Sequence, residues 1–273
     1  MLVHSYLTNG FVKMGEVFLK SLRMVSAPYY LPVWLEGRSL SFEDMELLYS
    51  SYPRELLHIN NQPLNMKRLA LKAGVTLKQL QTFKKQCEGR YVSNKNKVWK
   101  LMIAGDDRVK SLNKLLYSWK IPENESPKWA GFNLEYIAHF DIDTLFRKPL
   151  DMVPKMLEDV NIYLKLRPGH NIVKARITID CILIKPANDV RLFFDRWIHY
   201  IDKVPPLERP IGYGQASCWL AFKEVERKLN YGTLPLSFGL PGRNKKGDII
   251  WTGNVHKLAK DDCVEKFKKE AGL

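Results

Sequence analysis

The sequence has few cysteines and no long apolar run. Its four cysteines, Cys87, Cys181, Cys218 and Cys263, are widely spaced and form no Cys-x-x-Cys pair. This spacing argues against a zinc site and a disulfide framework, and it predicts reduced thiols in a cytoplasmic protein. No segment approaches the roughly 20 apolar residues that span a bilayer, and the first residues lack a signal-peptide pattern. We therefore expect no integral membrane segment.

Several nucleotide-binding and nucleic-acid-binding signatures are also missing. The sequence has no Gly-x-Gly-x-x-Gly and no P-loop, which disfavours ordinary dinucleotide enzymes and kinases. Helix-turn-helix, zinc-finger and RNP patterns are absent from its basic stretches. These absences leave other kinds of phosphate recognition open.

The composition is that of a folded and strongly basic protein. The chain has 273 residues, of which 45% are hydrophobic and 11% aromatic. It carries 43 basic against 29 acidic residues, a net charge of +14. Such a charge attracts polyanions such as nucleic acid, anionic lipid headgroups or a phosphorylated acceptor. The composition therefore predicts a globular core and favours an anionic partner.

The first third of the chain alternates strand and helix patterns. The stretches "LVHSYLT", "LPVWLEG" and "ELLHIN" resemble strands, and the segments between them have helical periodicity, the second with Ser41 as N-cap. This alternation predicts a parallel, doubly wound sheet. Residues 64 to 120 form a basic, mostly helical insert. Further strand and helix patterns follow, up to a loop-rich last third. We expect a single α/β domain over residues 1–273 with a mixed, mostly parallel sheet and a Rossmann-like N-terminal half.

Two aspartates follow a strand pattern directly in "YIAHFDIDTLFRKPLDM". Asp141 and Asp143 stand where the apolar "YIAHF" ends, and ligands of open α/β sheets bind at the carboxyl ends of strands. Alternate residues of an extended segment face the same side, so both carboxylates can point into one crevice. A divalent cation would relieve their repulsion, and Mg²⁺ or Mn²⁺ would leave ligand positions for phosphates.

The segment "AHFDIDTLFRKPL" resembles the D-x-D segment of GT-A-type glycosyltransferases. Three later segments are similar to that family in the same order: "TIDCILIKPANDVRLFFDRW", "IGYGQASCW" and "IIWTGNVHK". The chain departs from the family at Cys181 and Gly214, where small or acidic residues are common, so the sugar and acceptor contacts are expected to differ. The resemblance implies a nucleotide-sugar-binding half over residues 1–143 and an acceptor-binding half over residues 144–273.

The resemblance implies a metal-dependent transfer from a nucleotide-diphosphate sugar, with a UDP-sugar as the expected donor. Asp143, and Asp141 directly or through water, would hold Mn²⁺ or Mg²⁺ on the diphosphate, and His256 would be the third protein ligand. The metal would stabilise charge on the leaving diphosphate. Lys257 would add positive charge at the phosphates.

Further donor contacts are expected from the first strand and from the basic insert. The nucleotide base would lie over the loop of Thr8, Asn9 and Gly10, where glycine allows close approach of the backbone. The family places a basic residue from a helix at the donor, and Lys100 and Arg108 are the candidates.

Asp180, in the "RITIDCILI" strand, is the expected second catalytic carboxylate beside Asp141. It would act as general base in an inverting enzyme or bind sugar hydroxyls in a retaining one. Both alternatives stay open on the sequence.

The acceptor is expected to be polyanionic, because of the net charge. Modified nucleic acid, such as hydroxymethylated phage DNA, and an anionic cell-surface glycan are the candidates. The alternative functions are a non-catalytic nucleic-acid-binding protein, in which the basic helices grip phosphates, and a nucleotidyltransferase that uses the same two-carboxylate metal site.

Overall fold

The computed structural model describes most of the chain and omits mainly three segments, around residues 88–105, 118–134 and 253–263. In full, the described residues are 1–8, 11–63, 65–73, 75–87, 106–117, 135–167, 169–171, 176–204, 213–239, 247–252, 264–266, 268–269 and 272.

The first third has the alternating elements that the sequence predicted. They are β1 (Leu2–Thr8), α1 (Val12–Ser26), β2 (Val33–Arg38), α2 (Phe42–Ser51) and β3 (Leu57–Gln62). Helix α2 begins at the predicted cap: the Ser41 side chain accepts from Asp44 N–H, and the Asp44 side chain accepts from Ser41 N–H. This capping box satisfies donors that the first helical turn leaves without partners.

Three helices are described in the basic insert. They are α3 (Met66–Ala73), α4 (Leu77–Cys87) and α5 (Asp106–Tyr117). All three agree with the mostly helical insert that the sequence predicts, and residues 88–105 lie outside the described part of the chain.

The second half continues the sheet and adds further helices. Its elements are β4 (Ile137–Phe140), β5 (Thr144–Phe146), α6 (Met152–Met156), β6 (Ile162–Leu166), β7 (Ile177–Ile184), α7 (Asn188–Asp202), α8 (Tyr213–Val225), β8 (Tyr231–Thr233) and β9 (Ile250–Thr252). Strands β5, β8 and β9 have three residues each and were not predicted. Among the described helices, none is both long and apolar enough to span a bilayer.

Seven strands form one twisted sheet in the order β3-β2-β1-β4-β7-β6-β8. Strands β3, β2, β1 and β4 are parallel, β7 is antiparallel to both β4 and β6, and β8 is parallel to β6. Strand β7 thus runs against the others of this sheet, which confirms the predicted mixed, mostly parallel α/β fold. Strands β5 and β9 form a separate antiparallel ribbon.

A hydrophobic core covers each face of the sheet. On one face, α1 and α2 pack on residues such as Leu7, Leu35 and Phe140. On the other face, α5, α7 and α8 pack on Ile137, Ile182 and neighbouring residues. Buried polar side chains, among them His4, His139, Lys165 and Asp180, adjoin the candidate site.

Candidate functional site

The candidate site lies where the strand order of the sheet changes direction. From β1 the chain adds β2 and β3 on one side, and β4 then pairs with β1 on its other side. Open α/β sheets bind their ligands in the crevice at the carboxyl ends of the strands at such a switch point. Strand β1 ends there at Thr8 and the parallel strand β4 ends at Phe140, so the carboxyl ends of both strands lie at the same edge of the sheet.

The two aspartates form a turn at this crevice. Asp141 N–H donates to the Asp180 carbonyl oxygen at 2.9 Å, which fixes the start of the turn on β7, and Thr144 N–H donates to the Asp141 carbonyl oxygen at 3.0 Å, which closes it. The side chains of Asp141 and Asp143 are partly exposed. The turn therefore presents both carboxylates at the strand ends, as the sequence predicted.

Arg108 forms an ion pair with the first of these aspartates. Its Nη1 atom donates to Asp141 Oδ1, and the side chains of Arg108 and Asp141 are 18% and 29% exposed. Arg108 is in the first turn of α5, whose Val109 and Leu112 are buried in the core under the sheet. The packing of this helix therefore places a guanidinium group at the aspartate turn.

Asp143 lies in an electrostatic environment that favours its protonated form. Its pKa is raised to about 6, mainly by burial and also by the charge of Asp180, whereas the charge of Arg108 lowers it. Burial lowers the pKa of Arg108, and the charges of Asp143 and Asp180 oppose that shift. Arginine stays protonated in proteins, so Arg108 is a permanent positive charge among three carboxylates.

Lys165 on β6 forms a buried ion pair with Asp180 on β7. Its Nζ atom donates to Asp180 Oδ2 at 2.6 Å, and the two residues are 3% and 8% exposed. A buried charge is costly unless it is paired and hydrogen-bonded. The lysine therefore holds the Asp180 carboxylate in a fixed position beside the aspartate turn.

Two buried histidines lie beneath the turn. The Nδ1 atoms of His4 and His139 are 2.9 Å apart, and His4 Nε2 is 3.3 Å from Ser111 Oγ on α5. His139 Nε2 lies 4.0 Å from Asp141 Oδ1. Burial, and secondarily the charge of Arg108, lowers the pKa of His4 to about 3, and burial also lowers the pKa of His139. Both rings are therefore neutral near pH 7.

The structure brings four of the predicted site residues together. Asp141, Asp143, Asp180 and Arg108 interact directly or through their charges. Thr8 ends β1 opposite Arg38 of β2, at the carboxyl edge of the sheet. Five predicted residues lie outside the described part of the chain: Asn9, Gly10, Lys100, His256 and Lys257.

Sequence reasoning missed Lys165, His4 and His139. Lysine in a strand pattern such as "IYLKL" ordinarily indicates a solvent-facing position, and nothing in the order of residues connects it with Asp180. His139 was visible within the strand that enters the aspartate pair. Its partner His4, however, is 135 residues away in sequence and is brought close by the pairing of β1 with β4.

The carboxylate oxygens of the site suit a hard divalent cation as ligands, although the described residues do not complete a metal site. Carboxylate oxygens are the ligands that Mg²⁺ and Mn²⁺ prefer. Within the described ranges, no group of three or more His, Cys, Asp or Glu side chains is arranged to hold a metal. The expected third ligand, His256, lies outside those ranges.

The ribbon of β5 and β9 leads the chain toward the aspartate turn. Thr252, the last residue of β9, pairs with Thr144, the first residue of β5, and Thr144 follows Asp143 directly. Because one extended residue spans at most about 3.6 Å, the four steps from Thr252 to His256 reach at most about 14 Å. The length of the chain therefore permits His256 to approach Asp143.

Similarity to known proteins is found in structure and not in sequence. No protein-family model and no curated protein sequence matches the chain. Its structure is similar to that of the galactosyltransferase LgtC in complex with donor and acceptor sugar analogs, with a TM-score of 0.58, 10% identity, and coverage of 100% of this chain and 95% of LgtC. An active-site mutant of LgtC gives a TM-score of 0.56 at the same identity and coverage.

A second similar structure is the apo form of the glycosyltransferase GlyE of Streptococcus pneumoniae TIGR4. It has a TM-score of 0.51 and 9% identity, with coverage of 99% of this chain and 63% of GlyE. At these identities the similarity establishes the fold. The predicted resemblance is confirmed at that level: the chain has the fold of the GT-A-type glycosyltransferases.

Proposed function

We propose that the protein is a metal-dependent glycosyltransferase that transfers a sugar from a UDP-sugar to an anionic acceptor. One observation carries the proposal: the Asp141–Asp143 turn lies at the carboxyl end of β4, at the switch point of a sheet with the GT-A-type fold. The fold alone hosts many functions. The two carboxylates at its ligand-binding edge supply the chemistry that a diphosphate donor requires.

Asp141 and Asp143 would hold Mn²⁺ or Mg²⁺, with His256 as the third ligand. The ribbon of β5 and β9 supports this set, because it ends beside the turn with four steps of chain before His256. When bound, the metal offsets negative charge on the diphosphate leaving group.

The surrounding residues would bind and orient the donor. Arg108 is positioned to contact the diphosphate, because its guanidinium already lies at the aspartate turn. Lys100 and Lys257 would add positive charge at the phosphates. The loop of Thr8, Asn9 and Gly10 would carry the nucleotide base, since it follows β1 at the same edge of the sheet. The division into a donor half (1–143) and an acceptor half (144–273) is part of this proposal.

The ion pair of Asp180 with Lys165 would orient a reacting sugar. Lys165 fixes one oxygen of this carboxylate at 2.6 Å, which supports a role in binding sugar hydroxyls in a retaining enzyme. As general base of an inverting enzyme, Asp180 would use its other oxygen. Both roles require the ion pair to stay intact, so Lys165 would position Asp180 in either case.

The acceptor would be a polyanion, such as hydroxymethylated phage DNA or an anionic cell-surface glycan. The support is the net charge of +14, part of which falls on α3 and α4. Binding through phosphates weakens steeply with salt, because each neutralised phosphate releases condensed counterions. Cys181 and Cys218 are free thiols, which supports action in a reducing compartment such as the cytoplasm.

The test combines binding with turnover. The wild-type protein is melted with UDP, with Mn²⁺ and with both, and a panel of nucleotide sugars is screened for donor hydrolysis. We expect stabilisation that requires both ligands, and loss of both stabilisation and hydrolysis in Asp143→Ala. The control is Asp151→Ala, which removes an exposed carboxylate without a side-chain cap.

Three results would redirect the assignment. If Asp143→Ala keeps near-normal hydrolysis, the proposed metal site is wrong. Stabilisation by a nucleoside triphosphate with metal, together with turnover of the triphosphate and none of any nucleotide sugar, would favour a nucleotidyltransferase. Salt-dependent DNA binding with no response to nucleotides would favour a non-catalytic nucleic-acid-binding protein.

A further inference from the structure

The aspartate turn already contains a cation that belongs to the chain. Arg108 Nη1 donates to Asp141 Oδ1, which is one of the oxygen atoms expected to bind the metal. Two positive groups cannot share this oxygen without repelling each other. The proposed metal can therefore engage Asp141 fully only when Arg108 moves away.

The balance of charge makes this pair decisive for metal binding. The described site contains the carboxylates of Asp141, Asp143 and Asp180 and the cationic groups of Arg108 and Lys165. Lys165 is bound to Asp180 at 2.6 Å, so Arg108 is the cation that faces the two aspartates of the turn. With Arg108 in place, a divalent ion meets little net negative charge.

The geometry shows how Arg108 can exchange partners. Its helix is fixed, because Val109 and Leu112 are buried in the core and Ser111 contacts His4. The guanidinium stands at the end of a long flexible side chain, which can rotate while the helix stays in place. Arg108 Nε is buried and has no hydrogen-bond partner among the described residues, so the present pair leaves a donor of the guanidinium unused.

A diphosphate offers Arg108 a second hydrogen-bond acceptor, which its pair with Asp141 lacks. Guanidinium groups bind phosphate oxygens through two parallel hydrogen bonds, and such bidentate pairs are stronger than single ones. A diphosphate that arrives with the metal would thus provide Arg108 with a better partner as the metal takes over Asp141. A metal that arrives alone would offer no such partner.

We propose that Arg108 is the resident counterion of Asp141, and that the divalent cation binds in exchange for it, which makes the binding of metal and nucleotide diphosphate cooperative. This inference rests on the proposed function. It assigns to Arg108 a control over metal binding in addition to contact with the donor. By linkage, the nucleotide raises metal affinity by the same factor as the metal raises nucleotide affinity.

The experiment measures Mn²⁺ binding directly. Free Mn²⁺ is followed by its electron paramagnetic resonance signal during titration of the full chain, with and without UDP. We expect UDP to increase the Mn²⁺ affinity of the wild type by about tenfold or more, within the usual range of coupling between sites. In Arg108→Gln we expect Mn²⁺ alone to bind about tenfold more tightly, and the effect of UDP to fall below about threefold.

Two further variants separate charge from other effects. Lys110→Gln removes a cation from the same helix that pairs with Asp202 at the surface, and it should behave as the wild type. Arg108→Lys keeps the charge and should bind Mn²⁺ alone as weakly as the wild type. It also keeps the test decisive if Arg108→Gln does not fold, because tight binding of Mn²⁺ alone by Arg108→Lys would overturn the exchange.

Failure of the exchange and failure of the proposed function give different results. If the wild type binds Mn²⁺ and UDP cooperatively while Arg108→Gln folds and binds Mn²⁺ alone no more tightly, the exchange is wrong and the proposed function stands. If the wild type binds neither ligand under any combination, the proposed function and the exchange are both overturned.

Discussion

The Nδ1 atoms of His4 and His139 lie 2.9 Å apart in the interior of the sheet, between the paired strands β1 and β4. One ring nitrogen must donate and the other accept, so the contact requires at least one neutral ring. Burial lowers the pKa of both rings, and the charge of Arg108 adds to the effect. The pair therefore connects the stability of the fold to pH.

The first prediction is that the contribution of His4 to stability is lost as pH falls below 6.5. The unfolded chain protonates His4 near its ordinary pKa of 6.5, whereas the folded chain protonates it only near about 3. Between these values the unfolded state binds more protons, so the free energy of unfolding falls by about 1.4 kcal/mol per pH unit from this residue. His4→Gln should remove this contribution and flatten the profile, as measured by urea unfolding from pH 7.5 to 4.5.

A matched control for the first prediction is His170→Gln, which replaces an exposed histidine. This variant should keep the wild-type profile. An unchanged slope in His4→Gln, with the fold intact by circular dichroism, would show that His4 is not the residue that titrates.

The second prediction concerns the metal-free protein and Asp143. Burial raises the folded pKa of Asp143 from 3.8 to about 6, so the folded state binds the extra proton between these values. Stability is therefore lost as pH rises through about 6. Asp143→Asn should stabilise the protein at pH 7.5 in EDTA by about 1 to 3 kcal/mol, at about 1.4 kcal/mol per pKa unit. The gain should vanish near pH 3.8.

The comparison for the second prediction is Asp151→Asn, an exposed carboxylate in the same region. Its free energy of unfolding should change little at either pH. A loss of stability in Asp143→Asn at pH 7.5 would contradict the destabilisation of the charged Asp143 carboxylate by burial and by the charge of Asp180. The same variant should lack Mn²⁺-dependent binding of UDP, since it has lost a proposed metal ligand.

The third prediction concerns the ion pair of Lys165 and Asp180. Lys165→Met leaves a buried carboxylate without its cation, and breaking such a pair costs about 3 to 5 kcal/mol. Asp180→Asn in the same chain should recover part of this loss, because the uncompensated charge is then gone. Urea unfolding of both single variants and the double variant gives the coupling between them.

Lys223→Met is the control for this prediction. Lys223 pairs with Glu226 at the helix surface, where ion pairs contribute at most about 1 kcal/mol. Equal losses in Lys165→Met and Lys223→Met would mean that burial does not set the energy of the Lys165 pair.

The sequence allowed prediction of the elements whose signal is local. Strands β1 to β3 and the helices between them follow from periodicity, and the cap at Ser41 with Asp44 follows from residue type and spacing. Three-residue strands carry no periodicity. Strand β5 exists because Thr144 pairs with Thr252, more than 100 residues later, and such pairing depends on the folded chain.

The same division applies to the site. The aspartate pair was predictable, because polar residues directly after a buried strand are conspicuous. The cations that pair with the carboxylates of the site were not predictable. Lys165 meets Asp180 across two neighbouring strands, and Arg108 reaches Asp141 from a helix. Arg108 was predicted as a donor contact. Its pairing with Asp141 is the new finding, and the contact with the donor stays a prediction.

The last prediction tests whether the ribbon of β5 and β9 supports the proposed metal site. Gly239 has φ of 74°, and a Cβ atom there would lie 2.9 Å from the Ile250 carbonyl oxygen, in β9. Gly239→Ala therefore strains the backbone, at about 1 to 3 kcal/mol, and also pushes against β9 at Ile250. Because β9 leads toward His256, we expect weaker stabilisation by UDP with Mn²⁺ as well as a lower melting temperature. Gly247→Ala is the control, since nothing lies within 4 Å of its added Cβ atom. A lower melting temperature with undiminished stabilisation by UDP and Mn²⁺ would show that the ribbon does not set the geometry of the metal site.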